Sequence, residues 1–364
     1  MFYSEIIKII EAGLERDRDK VKNFSLLLAK KLSQDGDDRA SKRIETVLSR
    51  KNNGSAITDA LVAPPVDQES HLGIVDIDYN PIAPDIILSD HIKARLDDFE
   101  NTIKIKDKLD NLGMEFNMSL LLYGPPGCGK TSIANYIANK FELPLVTARL
   151  DTLISSLLGN TAKNLRRVFD YAQRQPCILF LDEFDAIAKA RDDQHELGEL
   201  KRVVNSLLQN MDSYCKNGIL IAATNHQELL DDAIWRRFQT VIDIPKPTYN
   251  EIHLIVKKLT ESLDLSQIRE KYYKIIINQM KGLSYSDIQN LIQNVVKQKI
   301  IKNEMIATPF DFLCEIIAFK FHGNMSENES IHFLLECGMP QQAIADYYKI
   351  SVRQVRNCII EKGE

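Results

Sequence analysis

The sequence predicts an α/β chain whose centre is a parallel five-stranded sheet, with a three-helix bundle before it and helical segments after it. Three observations carry this. Short apolar runs alternate with helical patterns from about residue 85 to 247, as expected of strands covered by helices on both faces. A glycine-rich loop follows the first strong run and opens a helix. From Thr248 onward the apolar spacing is helical throughout.

The elements follow in order. Ile6, Ile7, Ile10 and Leu14 share one helical face, as do Phe24, Leu27, Leu28 and Leu32, and then Ile44, Val47 and Leu48. Gly36-Asp37-Asp38 separates the second and third stretches, so residues 1–50 read as a small bundle suited to docking a partner or packing on its own assembly. Residues 51–84 have linker composition, and IVDIDY at 74–79 reads as a short strand laid against the next domain. Buried strands are expected at SLLLYG (119–124), PLVTARL (144–150), CILFLDE (177–183), GILIAATN (218–225) and TVIDIP (240–245). They place an α/β domain over 85–247. Residues 248–322 form a helical subdomain, and after the polar break HGNMSENES a last helical module covers 323–364.

Composition excludes several classes. A chain of 364 residues with 44% hydrophobic and 27% charged residues reads as an ordinary soluble protein with a well-buried core. A net charge of -5 argues against a chain-wide nucleic-acid footprint, though it leaves room for a local basic patch. The six cysteines form no CxxC pair and no zinc spacing, which reads as reduced thiols in a cytoplasmic protein. The N-terminus lacks a secretory pattern, and the apolar runs are far shorter than a membrane span.

The chemistry starts at Gly124-Pro125-Pro126-Gly127-Cys128-Gly129-Lys130-Thr131-Ser132. This is the spacing G-x-x-x-x-G-K-[ST] between a strand and a helix. Glycines let such a loop wrap phosphates with its N–H groups, and the helix N-terminus adds a positive dipole end. Lys130 suits the β- and γ-phosphates of ATP, and the Thr131 hydroxyl suits Mg²⁺. The run CILFLDEFDAIA delivers Asp182 and Glu183 at the carboxyl end of a buried strand, where ligands of open α/β sheets sit. Asp182 suits the Mg²⁺ shell and Glu183 a water-activating base. Asp185 reads as a helix cap with no catalytic role.

GPPGCGKT, FLDEFDAI, IAATN and DDAIWRRF, in that order, resemble an AAA ATPase of the AAA clade within the AAA+ superfamily, over roughly residues 85–320. The resemblance implies a P-loop ATPase domain with an all-α lid, using ATP and Mg²⁺. It implies that Asn225 orients the attacking water, and that Arg236 and Arg237 are arginine fingers acting on a neighbouring subunit. On its own residues that pair also reads as a solvated couple near a helix end. The lid keeps a Gly282-x-Ser284-x-x-Asp287-Ile288 frame, with Tyr285-Ser286 where the family has Gly-Ala. Leu157-Leu158-Gly159 stands where the family carries pore loop 1, with Leu157 in the place of an aromatic; a buried leucine pair before a turn is the plain alternative. The bundle is similar in size to microtubule-interacting-and-trafficking bundles.

At the other end, Ile344, Ala345, Tyr348, Ile350, Val355 and Cys358 are spaced for a helix, a tight turn and a second helix. This resembles a bacterial helix-turn-helix, with Arg353, Gln354, Arg356 and Asn357 available to DNA and Lys349 where a turn glycine is common. A docking or oligomerisation module fits the same pattern. The expected function is Mg²⁺-dependent ATP hydrolysis by a homo-oligomeric ring, implied to be a hexamer, that remodels or unfolds a protein or regulates a partner. No HExxH or other protease motif occurs, so a partner protease would be separately encoded. The alternatives are a DNA-directed ATPase working through 323–364 and a nucleotide-gated assembly scaffold.

Overall fold

The computed structural model describes residues 3–14, 18–49, 64–65, 73–155, 158–186, 197–321 and 324–360. They group into two units. The first covers residues 1–86, 90–124 and 129–244, and the second covers 87–89, 125–128 and 245–364.

In the first unit α1 (Tyr3–Leu14), α2 (Arg18–Gln34) and α3 (Asp38–Ser49) pack in sequence. The isoleucine face of α1 is not the packed one. Ile10 and Leu14 are 56% and 81% exposed, whereas Glu5 and Ala12, two turns apart, are buried. The reason is local: Glu5 accepts a bond from Lys31 of α2 at 2.9 Å, and the small Ala12 permits close approach on that same side. The Asn23 amide donates to the Arg174 carbonyl at 3.3 Å, so the bundle rests against the α/β part of its unit.

The remaining elements of this unit are β1 (Asp76–Asp78), α4 (Asp90–Asn111), β2 (Ser119–Tyr123), α5 (Lys130–Lys140) and β3 (Leu145–Arg149), followed by α6 (Leu150–Ser155) and α7 (Leu158–Gln173). Then come β4 (Ile178–Asp182), α8 (Leu197–Tyr214), β5 (Ile219–Thr224), α9 (Asp232–Trp235) and β6 (Thr240–Asp243). The sheet is six-stranded, in the order β1-β3-β4-β5-β2-β6. Strands β2 to β6 are parallel and coincide with the apolar runs, while β1 adds an antiparallel edge through Ile77 opposite Val146. Leu120, Leu121 and Leu122 are completely buried, as are Leu179, Phe180 and Leu181, which is why these strands read as continuous rather than alternating apolar runs.

The second unit is helical: α10 (Tyr249–Leu259), α11 (Glu270–Gln279), α12 (Tyr285–Ile301), α13 (Pro309–Lys320), α14 (Glu327–Glu336), α15 (Gln341–Tyr348) and α16 (Val352–Ile360). Thr248, Ser284, Thr308 and Ser326 each start a helix with a carboxylate three residues on, forming capping boxes. One apolar cluster runs from Ile252 to Cys358, so the last three helices share their core with those before them. Phe310 of α13 stacks on Tyr347 of α15, with ring centroids 4.8 Å apart and planes 8° apart. The chain passes from α15 to α16 through Lys349, Ile350 and Ser351, with Lys349 in the left-handed region at φ 56°. No helix among the described residues is long and apolar enough to cross a membrane.

Candidate functional site

The glycine-rich loop links β2 to α5. Gly124 has φ 139°, and a Cβ there would lie 2.3 Å from the Ile244 carbonyl oxygen, so no other residue fits. Gly129 precedes α5 in the left-handed region, which turns the chain into the helix at Lys130. The buried Lys130 ammonium donates to the Gly124 carbonyl at 2.7 Å, folding its charge back over the start of the loop. Thr131 is exposed and Ser132 half-buried in the first turn of α5. At the loop tip, Cys128 is buried with its Sγ 3.8 Å from the Pro126 carbonyl oxygen.

Strand β4 ends at Asp182, and Glu183 follows with φ 53°, an uncommon conformation for a residue other than glycine. The Glu183 N–H donates to Asp182 Oδ1 at 2.9 Å, which leaves Asp182 Oδ2 to face elsewhere. Burial raises the Asp182 pKa above the ordinary carboxylate value, with the Lys130 and Arg149 charges pulling the other way. Glu183 is also raised, by desolvation first and then by a hydrogen bond with Asp151. Arg149 joins these carboxylates: its guanidinium lies 3.0 Å from Asp151 and 3.7 Å from Glu183. Neither Arg149 nor Asp151 stands in the sequence motifs. The signal that points to them is register, since Arg149 pairs with Asp182 across parallel strands.

Asp185, which reads from the sequence as a helix cap, is bonded in the structure to the end of β5. It is buried, and its Oδ1 accepts from the Thr224 hydroxyl at 3.1 Å and from the Asn225 N–H at 3.4 Å. It therefore anchors the end of β5 where Asn225 stands. The two arginines differ. Arg237 donates to the Ala233 carbonyl at 2.7 Å and lies 3.6 Å from Asp212, whereas Arg236 is exposed and without a partner among the described residues. Ser156 and Leu157 lie outside the described residues. Leu158 and Gly159 open α7, and their side chains lie outside the description as well.

In the last three helices, Ile344, Ala345, Val355 and Cys358 are buried as their spacing requires. Of the four residues set against DNA, two are engaged internally. Gln354 accepts from the Ser351 N–H at 2.8 Å, and Arg356 donates to Gln341 at 3.1 Å. Arg353 and Asn357, one turn apart, are exposed and make no bond among the described residues.

The donor set suits Mg²⁺: a threonine hydroxyl and a carboxylate oxygen are hard ligands, and such sites complete their shell with phosphate and water. Asp182, already bonded through one oxygen to the Glu183 amide, fits as such a ligand.

The profile of the ATPase family associated with various cellular activities (AAA) matches residues 120–246. A relative from Sinorhizobium fredii, named an uncharacterized AAA family ATPase, is 40% identical over 206 residues, which is 57% of this chain and 61% of that protein. The proteasome-activating nucleotidase 2 of Halobacterium salinarum is 33% identical over 194 residues, 50% of this chain and 47% of its own length. A putative cell division cycle ATPase of Plasmodium falciparum is 32% identical over 203 residues, 54% of this chain and 16% of that much longer protein. The chain thus spans less than two thirds of each of these relatives.

Proposed function

We propose, from the premise that residues 120–246 form an ATPase domain of the AAA family, that this chain hydrolyses Mg-ATP as a ring and uses the turnover to remodel or unfold a protein. The observation that carries the reading is the convergence of chemistry at the carboxyl ends of β2, β4 and β5. The Lys130 charge acts on Asp182, and Glu183 follows Asp182 directly in the chain. Asp185 ties the backbone of Asn225 to the same region.

In this reading Lys130 and the loop amides hold the β- and γ-phosphates, while Thr131 and Asp182 hold Mg²⁺. Bound there, the ion would neutralise charge that develops on the phosphates. Glu183 takes a proton from the attacking water, and Asn225 orients that water. Arg236, exposed and without a side-chain partner among the described residues, would reach the phosphates of a neighbouring subunit, which makes turnover depend on assembly. Arg237 has the bonds of a residue that holds this segment in place. The relative named as a proteasome-activating nucleotidase supports a protein as the substrate, with a separately encoded protease as one partner. The last three helices carry Glu327, Glu329, Glu336 and Asp346 against Lys349, Arg353 and Arg356, a balance that favours a protein contact over a DNA duplex there.

The test is phosphate release with and without an unfolded protein. Lys130→Ala should abolish turnover by loss of binding, and Glu183→Gln should bind ATP without turning it over. Replacing Leu157 and Leu158 by alanine should keep basal turnover and remove its stimulation by protein. Normal turnover in Glu183→Gln would overturn the assignment of the base, and unchanged protein stimulation in the leucine variant would overturn threading through the pore.

A further inference from the structure

The tip of the phosphate loop groups with the helical unit, and one contact explains why. The Ser286 backbone N–H donates to the Gly127 carbonyl at 3.0 Å. The first amides of any α-helix lack partners within the helix. In α12 the Asp287 N–H is met by Ser284 Oγ at 3.2 Å, and the Ser286 N–H is met by the loop. Lys246 fastens the turn ahead of this helix by donating to the Gly282 carbonyl at 2.7 Å. The fit leaves no room. A Cβ on Gly127, whose φ is 72°, would lie 2.7 Å from Ser284 Oγ, 3.2 Å from Ser284 Cβ and 3.3 Å from Ser286 Cβ.

A trans peptide plane carries its carbonyl and the next N–H in opposite directions. Holding the Gly127 carbonyl on α12 therefore turns the Cys128 N–H to the opposite side, and no peptide among the described residues is cis. We propose that the turn Ser284–Ser286 is a positioning device for the phosphate loop: Ser286 anchors the Gly127 carbonyl and thereby aims the Cys128 N–H at bound phosphate. The proposal rests on the ATP-binding reading above and adds to it that the loop amides are set by the helical unit. Ser284 and Ser286 act through the loop and are positioning residues.

The experiment uses the full chain in two measurements. Hydrogen exchange on the protein without nucleotide reads the clamp by itself. The Ser286 amide should exchange slowly, freely in Gly127→Ala, and slowly again in Gly127→Ala combined with Ser284→Gly, which clears the space while keeping an accepted helix cap. Binding of labelled Mg-ATP in the Glu183→Gln background should weaken at least tenfold in Gly127→Ala and recover only in part in the double variant, because an alanine at a φ of 72° stays strained after the Ser284 contacts are cleared. In chains with Glu183 intact, saturating ATP should restore most of kcat to Gly127→Ala while its KM stays raised. A freely exchanging Ser286 amide in the unaltered protein overturns the clamp, as does a double variant as weak as the single one. Absence of ATP binding in Glu183→Gln itself would overturn the ATP reading instead, with the exchange result deciding the clamp on its own.

Discussion

At the scale of single residues, the paired arginines separate by what they touch. Arg237 is held by the Ala233 carbonyl and Asp212, and Arg236 is exposed with no side-chain partner among the described residues. If Arg236 has the proposed role on a neighbouring subunit's ATP, Arg236→Ala is expected to lower kcat on the order of a thousandfold with ATP binding retained. Arg237→Ala should have a smaller effect on kcat and lower the melting temperature, because it frees two local contacts. Steady-state kinetics beside a thermal melt distinguishes the two. Lys130, Asp182 and Glu183 were legible as a local spacing. Arg149 and Asp151 were not, because an arginine at the end of a strand with an aspartate two residues on is unremarkable until the neighbouring strand's register brings Asp182 opposite Arg149. The bond from Asp185 to Thr224 spans 39 residues and has no local signature at all.

At the scale of elements, two positions in the helical unit carry opposite expectations. Lys349 holds a left-handed conformation that costs an L-residue roughly 1–2 kcal/mol. Lys349→Gly should relieve it, offset in part by the greater freedom of glycine in the unfolded chain, for a net gain below about 1 kcal/mol in urea unfolding. Lys299 is the reverse case. It is buried and lies 2.9 Å from Asp311 and 3.0 Å from Glu304, joining the end of α12 to the start of α13. Lys299→Ala should destabilise the unit by about 2 kcal/mol, since the half-buried Asp311 carboxylate loses its counter-charge and keeps only its capping bonds from Thr308. Burial acts to lower the Lys299 pKa, but the bonds from Asp311 and Glu304 outweigh it and hold it above the ordinary value of 10.5. A raised lysine pKa adds stability in full below that value and loses it as pH rises through the folded-state pKa. The advantage of the unaltered protein over Lys299→Ala should therefore persist through neutral pH and shrink in strong alkali. The capping boxes that start these helices have a local signature, a serine or threonine three residues before a carboxylate.

At the scale of the whole molecule, the last three helices cannot be treated as an appendage. Ile331, Leu334, Met339, Ile344 and Val355 lie in the same apolar cluster as Ile252, Leu291 and Phe312. A chain ending at residue 323 should lose the cooperative melting of the helical unit, read as a lowered and broadened transition in circular dichroism. An unchanged melt would mean that the cluster divides where the sequence has its polar break. The N-terminal bundle shows the same lesson from the other side, for its strongest apolar stripe stays exposed on α1 while Glu5 and Ala12 make the contact.

What the order of residues determines by itself is whatever a few neighbours can specify. The phosphate loop, the acidic pair after a buried run, the helix caps and the parallel strands are all of this kind, since each depends on spacings within about ten residues. What only the tertiary structure decided are pairings between distant parts of the chain. Arg149 and Asp151 come to Glu183, Asp185 comes to Asn225, and Ser286 comes to the Gly127 carbonyl. The physical reason is that a hydrogen bond or an ion pair depends on distance in space, and separation along the chain carries no record of it.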